Sequence, residues 1–276
     1  MKRIYTAVLS VPLAVGGVFL LSDAWFFVVL LAISLLGTME FMRMMSAGEL
    51  GGYSGFLLIL VPVAAFWMTP FMPVRVDPVS AADGALLTAC ALVLGAGSIV
   101  VFSRTPVVRG LSAIGALTYG VLYFSIPVAS LFRLRQIGGP WLVVLCLVIV
   151  WLGDIFAYYC GSRWGRSKLA ESISPNKTKV GSLAGLLAGL AAATVWGLWL
   201  EGSPNLRVLS LAIVVGTAAQ MGDLVESLFK RGAGVKDSGT FFPGHGGVMD
   251  RLDALFFAAP AAWLFVWFMG IEGLVP

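Results

Sequence analysis

Apolar residues run through this chain in blocks of about twenty, each closed by a short polar break. A helix needs about 20 mostly apolar residues to cross the hydrocarbon core of a bilayer. Nine stretches meet that requirement, roughly 4–21, 24–43, 52–70, 84–102, 111–132, 140–160, 182–200, 206–229 and 252–270. The pattern predicts an all-α, polytopic integral membrane protein of about nine transmembrane helices. Residues 1–138 carry spans 1–5, and residues 139–276 carry spans 6–9 with two polar loops, 161–181 and 230–251. Lys2 and Arg3 precede the first block, and Ser22-Asp23-Ala24 resembles a small-x-small cleavage site. A second apolar block starts at once, so the first is expected to be a retained span. No segment reads as a soluble domain, a flexible linker or an internal repeat.

Composition agrees with this picture. Hydrophobic residues make up 59% of the chain and charged residues 12%, against roughly 45–50% and about 25% in soluble domains. The formal charge of +4 does not read as a nucleic-acid surface, because no basic run is long or interleaved with aromatics. Cys90, Cys146 and Cys160 lie scattered inside apolar runs, without the paired spacing of a disulfide framework or a zinc site.

The basic residues set an expected orientation. With the N-terminus inside, 14 of the 18 Lys and Arg residues fall in cytoplasmic segments. Both glycine-containing basic loops then face the cytoplasm, where nucleotides are found. A polar cavity open to the cytoplasm is expected in the C-terminal half, in a protein integral to the cell membrane.

Carboxylates within apolar runs need a reason, because charge in a membrane is costly. Glu40 is followed by Arg43 at i,i+3, which suits a local ion pair. Asp154, Tyr158 and Gly161 share one helix face at i, i+4 and i+7, so Asp154 either bonds a neighbouring helix or lines a site. Beyond them, Ser174-Pro175-Asn176 is a turn signal. Lys177 and Thr178 beside it offer an ammonium, a hydroxyl and backbone N–H groups to a phosphate. A loop that only touches anionic lipid would look similar.

Chemistry concentrates in residues 227–253, which hold six glycines, four basic residues, three carboxylates and the chain's single histidine. Asp223 and Glu226 stand at i,i+3 near the end of one span, and Asp250 and Asp253 repeat that spacing at the start of the next. Two helices presenting such pairs would form an oxygen cage suited to Mg²⁺. The competing reading is a structural network neutralising Lys230, Arg231, Lys236 and Arg251. The glycines let backbone approach a ligand closely, although neither a Walker A loop nor a dinucleotide fingerprint is present. His245, between Gly244 and Gly246, suits a structural and a site role equally.

The run Ser227-x-x-Lys230-Arg231, then Lys236-Asp237-x-Gly239, Pro243-x-His245-Gly246-Gly247 and Asp250-Arg251-x-Asp253 resembles the signature of the phosphatidate cytidylyltransferase family. Asp154-x-x-Ala157-Tyr158-x-x-Gly161 and Ser174-Pro175-x-Lys177-Thr178 are similar to the family's upstream blocks. Val180 stands where members often carry an acid. The resemblance implies cytidylyl transfer from CTP to phosphatidic acid in phospholipid synthesis, with Mg²⁺ and K⁺ as metals. It makes Asp223 and Asp250 metal ligands, assisted by Asp253 and Glu226. Lys230, Arg231 and Lys236 would join the two aspartates in catalysis. Ser174, Lys177, Thr178, Asp154, Tyr158, His245, Gly246, Gly247 and Arg251 would bind substrate. Expected partners are CTP, phosphatidic acid and the bilayer, with a homodimer as a candidate assembly and no nucleic acid. A CTP-dependent lipid kinase and a cation-coupled transporter are the alternatives.

Overall fold

The computed structural model describes residues 2–45, 54–71, 94–101, 108, 110–239, 241 and 246–276. Of residues 2–10, 54–55 and 66–71 it describes the backbone alone. His245 and most of the expected 84–102 span lie outside the described residues. The helices are α1 (Lys2–Leu20), α2 (Asp23–Met45), α3 (Ser54–Phe71), α4 (94–101), α5 (Gly110–Trp164), α6 (Lys179–Glu201), α7 (Leu206–Gly232), α8 (Met249–Leu252) and α9 (Leu255–Met269). Among the described residues five are long and apolar enough to cross a membrane: α2, α5, α6, α7 and the α8–α9 stretch Met249–Met269.

Spans 5 and 6 of the sequence reading are the two halves of α5, a 55-residue helix interrupted at Gly139, where φ is 61° and ψ −164°. Only glycine enters that region without strain. Pro140 follows at the first position of the new helix, where its missing N–H would be unpaired anyway.

The chain divides into two compact units. The first comprises Met1–Leu21, Leu134–Gly232 and Leu252–Pro276. Its core joins the second half of α5 to α6, α7 and α9 through buried Leu142, Ile149, Ala193, Leu211, Val215 and Ala258. The buried face of α6 is Gly181, Gly185, Ala188, Gly189, Ala193 and Gly197. Such small side chains let helix backbones approach where lipid supplies no hydrophobic drive for association.

The second unit comprises Ser22–Arg133 and Ala233–Arg251. Phe41 of α2 meets Phe124 of α5 edge to face, with ring centroids 5.7 Å apart, and Ser34 Oγ donates to Phe124 O at 2.9 Å. Leu57, Val61, Leu117 and Val121 complete that core.

A small departure from the all-α expectation lies in the 161–181 loop. Strands β1 (Lys168–Ala170) and β2 (Ser174–Thr178) pair antiparallel, with Lys168 opposite Thr178 and Ala170 opposite Ser174. The turn expected at Ser174-Pro175-Asn176 falls instead at residues 171–173. Pro175 is tolerated because both strands of a two-stranded ribbon are edges, where a missing N–H need not break the ladder.

Candidate active site

In the first unit the last three turns of α7 carry the chemistry. The buried residues of α7 are Val208, Leu211, Ala212, Val215, Ala219, Gly222, Glu226 and Ser227, so a carboxylate and a hydroxyl end an otherwise apolar or small stripe. Gly222 decides what that face can meet. A Cβ on it would lie 2.4 Å from Asp253 O, so the glycine allows α7 to touch the start of α9. That approach brings Asp223, Glu226 and Asp253 together, with one carboxylate oxygen from each lying within 4.8 Å of the other two.

Two lysines complete the cluster. Lys177 Nζ lies 2.7 Å from Asp223 Oδ2, and Lys230 Nζ donates to Glu226 Oε2 at 2.8 Å. Glu226 is fully buried and Lys230 nearly so. Asp154, exposed on α5, is within electrostatic reach of Asp223 and Lys177. Three carboxylates with oxygens within 4.8 Å of one another, and a fourth nearby, are all hard oxygen donors, and that donor set fits Mg²⁺.

The hairpin is held where Lys177 can reach. Thr178 is buried and caps α6, accepting from Gly181 N–H at 3.1 Å. A Cβ on Gly181 would lie 2.6 Å from Ala157 O, and one on Gly165 would lie 2.3 Å from Thr178 Oγ1. These glycines clamp the end of α5 against the start of α6. Gln220 adds a reciprocal tie: Ser182 Oγ donates to Gln220 Oε1, and Gln220 Nε2 donates to Ser182 O. Sequence spacing gave no sign of this tie, because the two residues stand on different helices.

In the second unit Asp250 has a different environment. Its Oδ2 accepts from Ser238 N, Ser238 Oγ and Gly247 N, each at 2.8 Å. Gly246 has φ 78°, and a Cβ there would lie 2.4 Å from Asp250 Oδ2. Glu40 of α2, buried in the same unit, accepts from Val248 N and Met249 N at 2.9 Å and lies 3.0 Å from Ser238 Oγ. Helical spacing offers Glu40 a partner one turn away, at Arg43. The partners it reaches lie some two hundred positions later, beyond what helical spacing can reveal.

A family model described as the cytidylyltransferase family matches residues 1–269. The chain belongs to that family. Among its relatives, the phosphatidate cytidylyltransferase of Brucella abortus is 39% identical over 182 residues, covering 66% of each chain. The protein of that name from Synechocystis is 42% identical over 130 residues, covering 46% of this chain and 44% of the relative. That from Staphylococcus epidermidis is 40% identical over 141 residues, covering 51% and 54%. The chain spans just under two thirds of the Brucella relative's length and about half of the other two.

Of the residues singled out in this cytidylyltransferase-family chain, Asp223, Glu226, Asp253, Lys177, Lys230 and Asp154 come together in the first unit. Thr178 serves there as a helix cap. Arg231 is exposed, with Nε directed at Ile173 O at 3.4 Å, and Ser174 lies in β2. Tyr158 is 70% exposed, and Val180 is exposed in the first turn of α6. Lys236, Gly246, Gly247, Asp250 and Arg251 belong to the second unit, with Lys236 and Arg251 exposed. A cavity of about 770 Å³ between α5 and α6, lined by Val148, Leu152, Phe156, Leu187 and several tryptophans, is apolar and contains none of these residues.

Proposed function

We propose that this protein transfers a cytidylyl group from CTP to phosphatidic acid, forming CDP-diacylglycerol and pyrophosphate at the cytoplasmic face of the cell membrane. One observation carries the reading: in a chain of the cytidylyltransferase family, Asp223, Glu226 and Asp253 converge with Lys177 and Lys230 at the end of membrane-length helices. Two polyanions must meet for this reaction, and a cluster of opposed charges within an apolar frame is what their meeting requires.

Asp223, Glu226 and Asp253 would hold Mg²⁺, and the family signature adds Asp250 to the proposed ligands; the bound ion would neutralise phosphate charge and polarise the reacting phosphorus. A K⁺ ion alongside it belongs to the same proposal. The nucleophile is a phosphate oxygen of phosphatidate. It bonds to the α-phosphorus of CTP as the bond from that phosphorus to the bridging oxygen breaks, and pyrophosphate leaves with that electron pair. The oxygen is already anionic, so no general base is required, and the chain's work is positioning and charge balance.

Lys177 and Lys230 supply ammonium groups beside the carboxylates. Arg231, Lys236 and Arg251 are exposed cations that would meet the triphosphate and the lipid phosphate. The family signature makes Ser174, Tyr158, His245, Gly246 and Gly247 substrate-binding residues in the same proposal.

The test is product analysis. Purified protein in lipid nanodiscs is given α-³²P-labelled CTP, phosphatidate and Mg²⁺. Label in CDP-diacylglycerol, with pyrophosphate released in equal amount, supports the proposal. Label in CDP with a newly phosphorylated lipid would make the protein a CTP-dependent kinase. No product, with cation flux across proteoliposomes, would make it a transporter.

A further inference from the structure

Glu40 stands on the second helix, far along the chain from every residue assigned to the reaction above, yet its carboxylate is filled by that region's backbone. Oε1 accepts Val248 N–H at 2.9 Å, and Oε2 accepts Met249 N–H at 2.9 Å and faces Ser238 Oγ at 3.0 Å. The fit is close on every side. A Cβ on Gly239 would lie 2.7 Å from Glu40 Oε1, and one on Gly247 would lie 2.2 Å from Glu40 Oε2. The two glycines leave room for this carboxylate.

Ser238 connects Glu40 to Asp250. Its hydroxyl lies 3.0 Å from Glu40 Oε2 and 2.8 Å from Asp250 Oδ2. It carries one proton and can donate to only one of them at a time. Both ends of the 238–250 segment are therefore held by two carboxylates that share a hydroxyl. Glu40 is 4% exposed and Ser238 5%, so neither can be satisfied instead by bulk water.

We propose that Glu40 is a positioning residue, which holds Ser238, Val248 and Met249 in place and so fixes the donors that orient the Asp250 carboxylate. The inference rests on the functional reading above. It gives the N-terminal helices a part in the chemistry, delivered through backbone hydrogen bonds and without contact with a substrate. Carboxylate is the right group: its two oxygens meet two backbone donors and the shared hydroxyl, and it has no N–H of its own to place against them. Glutamine is nearly the same size, but its –NH₂ would face Val248 N–H at one position, or Met249 N–H and the Ser238 hydroxyl at the other, leaving buried donors unpaired.

The experiment compares wild type, Glu40→Gln and Glu40→Asp in nanodiscs by two measurements. One is hydrogen–deuterium exchange of peptides covering 238–251 and, as an internal reference, α6 and α7. The other is steady-state formation of CDP-diacylglycerol. Glu40→Gln is expected to speed exchange in 238–251 while α6 and α7 stay protected. It should lower kcat about 10–100-fold, the usual range when a group that orients a ligand is lost, with a smaller change in KM for CTP. Glu40→Asp, which keeps the charge, should recover part of both.

Unchanged exchange in Glu40→Gln overturns the proposal. So does faster loop exchange with kcat within twofold of wild type, and so does equal loosening of α6 and α7, which would mark a general packing role. If Glu40→Gln does not fold, Glu40→Asp and Ser238→Ala carry the test. Faster exchange confined to the loop, with reduced kcat, supports the proposal, and its absence in both overturns it. A wild type that makes no CDP-diacylglycerol overturns the functional reading; the exchange comparison still decides whether Glu40 holds the loop.

Discussion

Lys177 Nζ lies 2.7 Å from Asp223 Oδ2, so the hairpin after α5 and the end of α7 share one charged cluster. Lys179, two residues on, is exposed, and this contrast separates a site role from a role in membrane topology. Lys177→Ala should reduce turnover about 100-fold, comparable to removing one group that stabilises transition-state charge. Lys179→Ala should stay within about twofold. The check is CDP-diacylglycerol formation at matched protein levels. Similar small losses in both would return the hairpin to a purely topological role.

The acidic cluster should bind a divalent cation in the absence of substrate. A ligand that binds only the folded protein raises its stability in proportion to the logarithm of its concentration. Millimolar Mg²⁺ should therefore raise the unfolding temperature of detergent-solubilised wild type, and EDTA should reverse the rise. Asp223→Asn should remove the shift and abolish turnover while leaving the helix content seen by circular dichroism intact. A full Mg²⁺ shift in Asp223→Asn would exclude that residue as a ligand.

Glu226 and Lys230 form a pair with almost no solvent contact, at 0% and 13% side-chain exposure. Removing one partner of such a pair leaves an uncompensated buried charge. Glu226→Gln should destabilise the fold by about 3–5 kcal/mol. The double variant Glu226→Gln with Lys230→Met should recover most of that stability, since no ammonium is then stranded, and recover no activity. Thermal unfolding and turnover on the same four proteins complete the cycle. Additive stability losses would show that the contact contributes little.

Two glycines ten residues apart on α7 should answer differently to the same substitution. A Cβ on Gly222 would lie 2.4 Å from the backbone oxygen of Asp253, whereas nothing lies within 4 Å of a Cβ on Gly232. Gly222→Ala should part α7 from α9, lowering stability by about 1–3 kcal/mol and dispersing the carboxylates, with the Mg²⁺ shift lost. Gly232→Ala should change stability by about 0.5 kcal/mol or less. Thermal unfolding with and without Mg²⁺ decides both.

The sequence by itself determined the solvent of this protein and the location of its chemistry. Hydropathy is a local sum over about twenty residues, so the apolar blocks were legible without any fold. The interruption at Gly139 fell within the polar break already read between two blocks. Asp223 with Glu226 was legible because helical spacing puts i,i+3 residues on one face. The family resemblance rested on the same short stretches. Local spacing misjudged the turn: Ser174-Pro175-Asn176 reads as a bend, yet an edge strand accepts proline equally well.

Only the tertiary structure decided which distant groups meet. No periodicity connects Glu40 to Val248 and Met249, Gln220 to Ser182 or Lys177 to Asp223. Nor could spacing show that Gly222 is small so that Asp253 can come close. A carboxylate finds its donors through space, and the backbone N–H groups that satisfy Glu40 are carried by every residue but proline. Those contacts exist because the helices pack, and the packing sets which groups come within reach.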